Sequence, residues 1–287
     1  MIGSSRSRSR GWSRPRFQAS GPSIVAALLV ALVLAVAVDR GVSNGYLTLG
    51  TVVFIGVLLP SIMFHEVSHG VVALWCGDDT AKRAGRISAN PIRHVDPLGT
   101  VIVPAAMVLL LHGFGFFGWA KPVPVALNKL RRPRNQALLV GLAGPASNGL
   151  LAAAAGVGLH FIMTASGPNA PNVYYSVLSF HPALYFTGPG IAEGALFWLG
   201  FVVGMLGIAN LLVGAFNLLP IPPLDGAALV ERFIPLSALH SYYRIRMWFL
   251  IAVVLLVWLD RGLLGTMFGD IATWYMNLVK PGSVPGL

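Results

Sequence analysis

Six apolar stretches dominate this chain, at residues 23–39, 47–76, 99–119, 136–164, 191–219 and 246–260. Most reach the roughly 20 residues that a helix needs to cross a bilayer, although the last is short and the third is broken. Backbone polar groups cannot be left bare in hydrocarbon, so stretches of this kind fold as helices. Composition agrees with this. Of the 287 residues 55% are hydrophobic and 10% charged, against about 25% charged in ordinary soluble domains. The chain therefore reads as an all-α polytopic membrane protein with five to six transmembrane helices.

The net charge of +10 has a membrane explanation and does not call for nucleic acid. Residues 1–22 carry Arg6, Arg8, Arg10, Arg14 and Arg16 with no acidic residue, the composition of a disordered basic tail. Further basic groups fall in 77–98 (Lys82, Arg83, Arg86, Arg93), in 120–135 (Lys121, Lys129, Arg131, Arg132, Arg134) and in 220–246 (Arg232, Arg244, Arg246). Lys and Arg accumulate on the cytoplasmic side. That rule puts the N-terminus and these three segments in the cytoplasm and 165–190, which has no Lys or Arg, outside. Three parts follow: the tail at 1–22, a membrane domain at 23–260, and an interfacial segment at 261–287, where Trp274 and Tyr275 suit headgroup depth. The single cysteine, Cys76, excludes an internal disulfide framework.

Segment 99–119 has basic flanks at both ends, so it should enter and leave on one face. Pro104, Gly113, Gly115 and Gly118 interrupt it. A re-entrant or β-hairpin-like element around 99–125 is expected, the kind of irregular backbone that survives at bilayer depth only when covered.

The residues that carry chemistry lie in the second apolar stretch, at His65-Glu66-Val67-Ser68-His69. Histidines four apart share one helix face and can hold one zinc ion, and the glutamate beside the first can act as general base. An ionisable group at such depth costs about 2.5–3.5 kcal/mol on insertion scales, so Glu66 needs a partner or a wet cavity. Zinc hydrolases commonly use a third protein ligand. The best candidate is Asp225 in Asn217-Leu218-Leu219-Pro220-Ile221-Pro222-Pro223-Leu224-Asp225-Gly226. Its prolines forbid regular helix, and it arrives at the same leaflet as the histidine pair.

These two motifs together resemble the site-2 protease family of intramembrane zinc metalloproteases. The likeness extends to Asp96-Pro97-Leu98-Gly99-Thr100, to Gly118 through Val125, and to Ala143-Gly144-Pro145-Ala146-Ser147-Asn148, and so covers about 56–231. It is most similar to the compact bacterial branch without PDZ or CBS domains. The resemblance implies one Zn²⁺ held by His65, His69 and Asp225, with Glu66 catalytic. It further implies substrate contacts from Asn148 and from an edge at Pro122, Val123 and Pro124. Ala227 stands where many members have a second glycine. The implied substrate is a membrane protein with a transmembrane helix, cut in or near the bilayer of a bacterial plasma membrane, nearer its cytoplasmic face. A regulatory partner in the membrane is implied as well. The competing readings are a metal-ion transporter and an inactive membrane chaperone of the same fold. Few intramembrane carboxylates and no inverted repeat weigh against the transporter, and the intact Glu66 weighs against the chaperone.

Overall fold

The computed structural model describes residues 48–90, 121–185, 191–235 and 259–282 continuously, with a few short runs besides. Its helices are α1 (Leu49–Trp75), α2 (Thr80–Arg83), α3 (Pro133–Ser166), α4 (Ala170–Ser179), α5 (Ile191–Asn217), α6 (Ala227–Glu231) and α7 (Arg261–Val279). No strand occurs among the described residues.

Three helical stretches are long and apolar enough to cross a membrane: Leu49–Trp75, Pro133–Ser179 and Gly194–Asn217. They fall on the expected stretches 47–76, 136–164 and 191–219. The 27 residues of α1 extend about 40 Å at 1.5 Å per residue, more than the hydrocarbon core requires. The expected spans at 23–39, 99–119 and 246–260 lie outside the described residues but for isolated positions. So does the basic tail, and so does most of the expected re-entrant segment. At its end, residues 121–126 carry no regular secondary structure.

α3 shows how the bundle sorts its faces. Leu139, Leu150, Val157 and Phe161 are exposed, whereas Gly144, Asn148, Ala152, Ala155, Leu159 and Met163 are buried. Each set recurs at intervals of a whole number of turns, so one stripe faces outward to lipid and the other faces protein. The interior is built from Leu159 and Met163 of α3, Val173, Tyr174 and Val177 of α4, Phe201, Met205 and Ile208 of α5, and Tyr275 and Met276 of α7. Lipid is as apolar as these side chains, so close packing rather than escape from water holds such helices together. Gly200 and Gly204 supply that closeness. A methyl at either would lie 2.7 or 2.6 Å from Val173 or Val177 of α4.

Two features depart from the sequence reading. Residues 165–190, which lie between two apolar stretches and whose Pro, Gly and Asn suggest a loop on the outer side, contain α4, whose Ala170, Val173, Tyr174 and Val177 form an apolar stripe buried against α5. That i, i+3, i+4, i+7 spacing is the helix signal that Pro, Gly and Asn around it obscure. In α7 the two aromatic neighbours part. Trp274 is exposed, while Tyr275 is buried and its hydroxyl donates to Ala152 O at 2.8 Å.

α1 ends in a Schellman motif, with Gly77 N–H bonded to Leu74 O and Asp78 N–H to Ala73 O, and Gly77 at φ +108°. The turn delivers the fully buried Asp78 to three donors. Its Oδ1 accepts from Thr80 N at 2.9 Å and Thr80 Oγ1 at 2.5 Å, and its Oδ2 accepts from Ala126 N at 2.6 Å. Burial opposes the charge, yet the hydrogen bonds from Thr80 and Ala126 outweigh it and hold the carboxyl below its ordinary 3.8. A depressed folded pKa means stability present above 3.8 and lost as pH falls through the lower folded value. Asp78→Asn should therefore cost about 1–3 kcal/mol at pH 7, because an amide offers Ala126 N–H or Thr80 a donor in place of an acceptor. Thermal unfolding of both proteins from pH 7 to 3 checks this: the gap should narrow toward the acid end. An unchanging gap would remove the carboxylate from the explanation.

Candidate metal centre

His65 and His69 lie one turn apart on α1 and are buried, 4% and 8% exposed. Their rings meet edge to face with centroids 4.7 Å apart. Each is held at Nδ1 by α3. His65 Nδ1 lies 2.5 Å from Asn148 Oδ1, and His69 Nδ1 lies 2.6 Å from Val140 O. A histidine that donates from one ring nitrogen presents the bare lone pair of the other, the arrangement found at metal-ligating imidazoles. Both Nε2 atoms then point at Asp225, whose Oδ2 is 2.8 Å from His65 Nε2 and 3.2 Å from His69 Nε2.

Successive turns of α3 organise this contact. Val140, Gly144 and Asn148 are spaced by four, so they stack on one face. The outer two supply the acceptors, and the middle one supplies a gap. A methyl at Gly144 would overlap His69 Nε2 and lie 2.5 Å from His65 Nε2. Asp225 comes from the loop after α5. Gly226 N–H closes that loop on Asn217 O at 2.7 Å, and a side chain at Gly226 would strike the carbonyl oxygens of Leu218 and Leu219. The Pro222–Pro223 bond within it is cis. Ala227, where the family pattern often has glycine, is buried and opens α6.

The donor set fits zinc. One atom from each of His65, His69 and Asp225 lies within 4.8 Å of the others, and tetrahedral zinc with bonds near 2.0–2.1 Å sets its ligand atoms about 3.3 Å apart. Two imidazoles and a carboxylate are a usual zinc set. Glu66 is half-buried beside them, and its Oε2 accepts from Val123 N–H at 2.9 Å. Val123 is buried between exposed Pro122 and Pro124. Asn148, implied as a substrate contact, is fully buried with both ends of its amide engaged: Oδ1 on His65 and Nδ2 on Asn210 Oδ1 at 2.7 Å.

Sequence reasoning overlooked Ser61, Val140, Gly144 as a spacer, and Asn210. Two of these left a signal. An asparagine and a serine inside apolar spans demand partners. The described histidines outside the motif bond backbone carbonyls: His94 Nε2 meets Ser88 O at 2.9 Å, His160 Nδ1 meets Val279 O at 2.9 Å and His181 Nδ1 meets Ser179 O at 2.6 Å.

Comparison with known proteins decides the family. Residues 53–259 match the family model described as Peptidase family M50. The chain belongs to peptidase family M50. It is 36% identical over 178 residues to "Putative zinc metalloprotease YwhC" of Bacillus subtilis, which covers 62% of this chain and 67% of that protein. It is 28% identical over 271 residues to "Putative zinc metalloprotease Rip2" of Mycolicibacterium smegmatis, covering 92% and 90%. No solved structure gives a significant match. The site-2 protease resemblance is thus the right one. As an M50 peptidase the chain is a zinc metalloprotease, and with three bilayer-length helices it is an integral membrane protein.

Proposed function

We propose that this M50 peptidase hydrolyses peptide bonds within or near the transmembrane segments of membrane-tethered proteins. The observation that carries the proposal is the position of the ligand pair: His65 and His69 lie inside α1, a 27-residue apolar helix. A soluble peptide has little reason to approach a site walled by such helices, whereas a membrane-anchored substrate is already there.

His65, His69 and Asp225 hold the zinc, which when bound polarises the scissile carbonyl and makes water an effective nucleophile near neutral pH. Glu66 takes the proton from the attacking water and returns it to the leaving amine. The Val123 N–H fixes one carboxylate oxygen of Glu66 and leaves the other for the proton. A substrate helix hides its carbonyls in i→i−4 hydrogen bonds and must unwind before attack. Pro122, Val123 and Pro124 offer the unwound strand an irregular edge of carbonyl acceptors, since the prolines have no N–H and that of Val123 is bonded to Glu66. The apolar stretches support five to six spans. The basic-residue map supports a re-entrant segment at 99–119, a cytoplasmic N-terminus and a site nearer the cytoplasmic face, and the family resemblance supports a bacterial plasma membrane. Access to the site is controlled by another protease, a membrane partner or the protein's own helices.

The test uses the full chain in proteoliposomes with a panel of tagged single-span substrates. Zinc-loaded protein should release fragments cut in or beside the span, chelation should stop it, and zinc should restore it. Zinc flux across the vesicle without cleavage of any substrate would replace this reading with transport.

A further inference from the structure

Four buried side chains from three helices form a directed hydrogen-bond chain that ends at the metal centre. Ser61 of α1, Asn210 of α5, Asn148 of α3 and His65 of α1 are 1%, 0%, 0% and 4% exposed. Ser61 Oγ donates to Val57 O at 2.7 Å. A hydroxyl has one hydrogen, so toward Asn210 this oxygen only accepts. Asn210 Nδ2 donates to it at 2.9 Å and to Leu206 O, also at 2.9 Å.

Those two acceptors settle which way the Asn210 amide faces. Turning it over would set its oxygen against a backbone carbonyl that has no hydrogen to give. Its Oδ1 therefore faces Asn148 and receives Nδ2–H at 2.7 Å. Asn148 must then show its own Oδ1 to His65, at 2.5 Å. An oxygen there requires the proton on His65 Nδ1, which leaves Nε2 bare toward Asp225. Were either amide reversed, an NH₂ group would meet Nδ1, the ring proton would move to Nε2, and the metal-facing nitrogen would be blocked.

We propose that Asn210 and Ser61, with Asn148 as the link, are positioning residues of the zinc centre: the chain Ser61–Asn210–Asn148 sets the tautomer and aim of His65. The proposal rests on His65 being a zinc ligand, as read above, and gives Asn148 a role on the ligand instead of on the substrate. His69 needs no such chain, because its Nδ1 faces a backbone carbonyl, Val140 O, which only accepts. The two ligands thus differ in what secures them: one depends on side chains of two other helices, the other on backbone.

The experiment measures zinc affinity of the full-length protein in detergent micelles by competition with a chromophoric chelator, together with the visible spectrum of the Co²⁺-loaded form. Loss of a partner that orients a metal-ligating histidine typically costs about 10–100-fold in affinity, and Asn210→Leu should fall in that range with an altered Co²⁺ spectrum. Ser61→Ala should lose less, since Leu206 O still orients the amide, and Ser61→Thr should recover what Ser61→Ala loses. Tyr275→Phe would be a poor control, because that substitution lies one turn from both Asn148 and Asn210. The bond to remove is instead the one Tyr174 donates to Asn277 Oδ1 at 2.9 Å, between α4 and α7, which contribute no member of the chain. Tyr174→Phe should lower the unfolding temperature and leave zinc affinity unchanged. Asn210→Leu binding within twofold of wild type overturns the proposal. If Asn210→Leu does not fold, equal affinity in Ser61→Ala and Ser61→Thr overturns it. Failure of the wild-type protein to bind zinc at all would instead defeat the ligand assignment.

Discussion

Gly144→Ala should yield a folded membrane protein that has lost its zinc. The added methyl would overlap His69 Nε2 and sit 2.5 Å from His65 Nε2 and Cε1. Neither ring can step aside, because Asn148 and Val140 hold their Nδ1 atoms from the same face of α3. The helices must separate or the imidazoles must turn, and both break the set of atoms aimed at one ion. Overpacking of this kind costs about 1–3 kcal/mol of stability, whereas zinc affinity should fall more than ~100-fold, beyond the usual loss of an orienting partner. Zinc content after purification, with an unfolding curve on the same sample, separates the two effects. A Gly144→Ala protein that holds one zinc with wild-type affinity would show that α3 does not press on the histidines as described.

Glu66→Gln should slow cleavage severely while zinc stays bound. The exchange keeps the shape, and the amide oxygen can still accept from Val123 N–H, which Glu66 Oε2 does at 2.9 Å. What is lost is a group able to take and return a proton. General acid–base catalysis contributes about 10²–10⁴-fold, so the single-turnover rate should drop by that factor at equal zinc content. Cleavage within about tenfold of wild type would move the base elsewhere. The pair of variants is informative together: Gly144→Ala loses metal and rate, and Glu66→Gln loses rate alone.

Much of the site could be read from the chain because its rules are local. The spacing of His65 and His69 puts both on one face of any helix, and the apolar stretch around them requires a helix. The prolines before Asp225 forbid one. The errors arose where a pattern was interrupted. Gly167, Pro168 and Pro171 crowd the start of α4, and the four-residue stripe that follows was too short to stand out beside such helix breakers. Tyr275 and Trp274 share a headgroup preference, but adjacent residues on a helix point about 100° apart, so only one could face outward.

By itself, the sequence determined the membrane setting, the metal-binding chemistry and which residues stand as candidate ligands, because these depend on residue type and short spacing. The tertiary structure alone decided how those residues are held. Asp225 meets His65 across 160 positions, Asn148 reaches it across 83, and Asn210 meets Asn148 across 62. Such contacts depend on how α1, α3 and α5 slide and turn against one another. A periodic pattern states which face of each helix is inward; it does not state which residue will lie opposite.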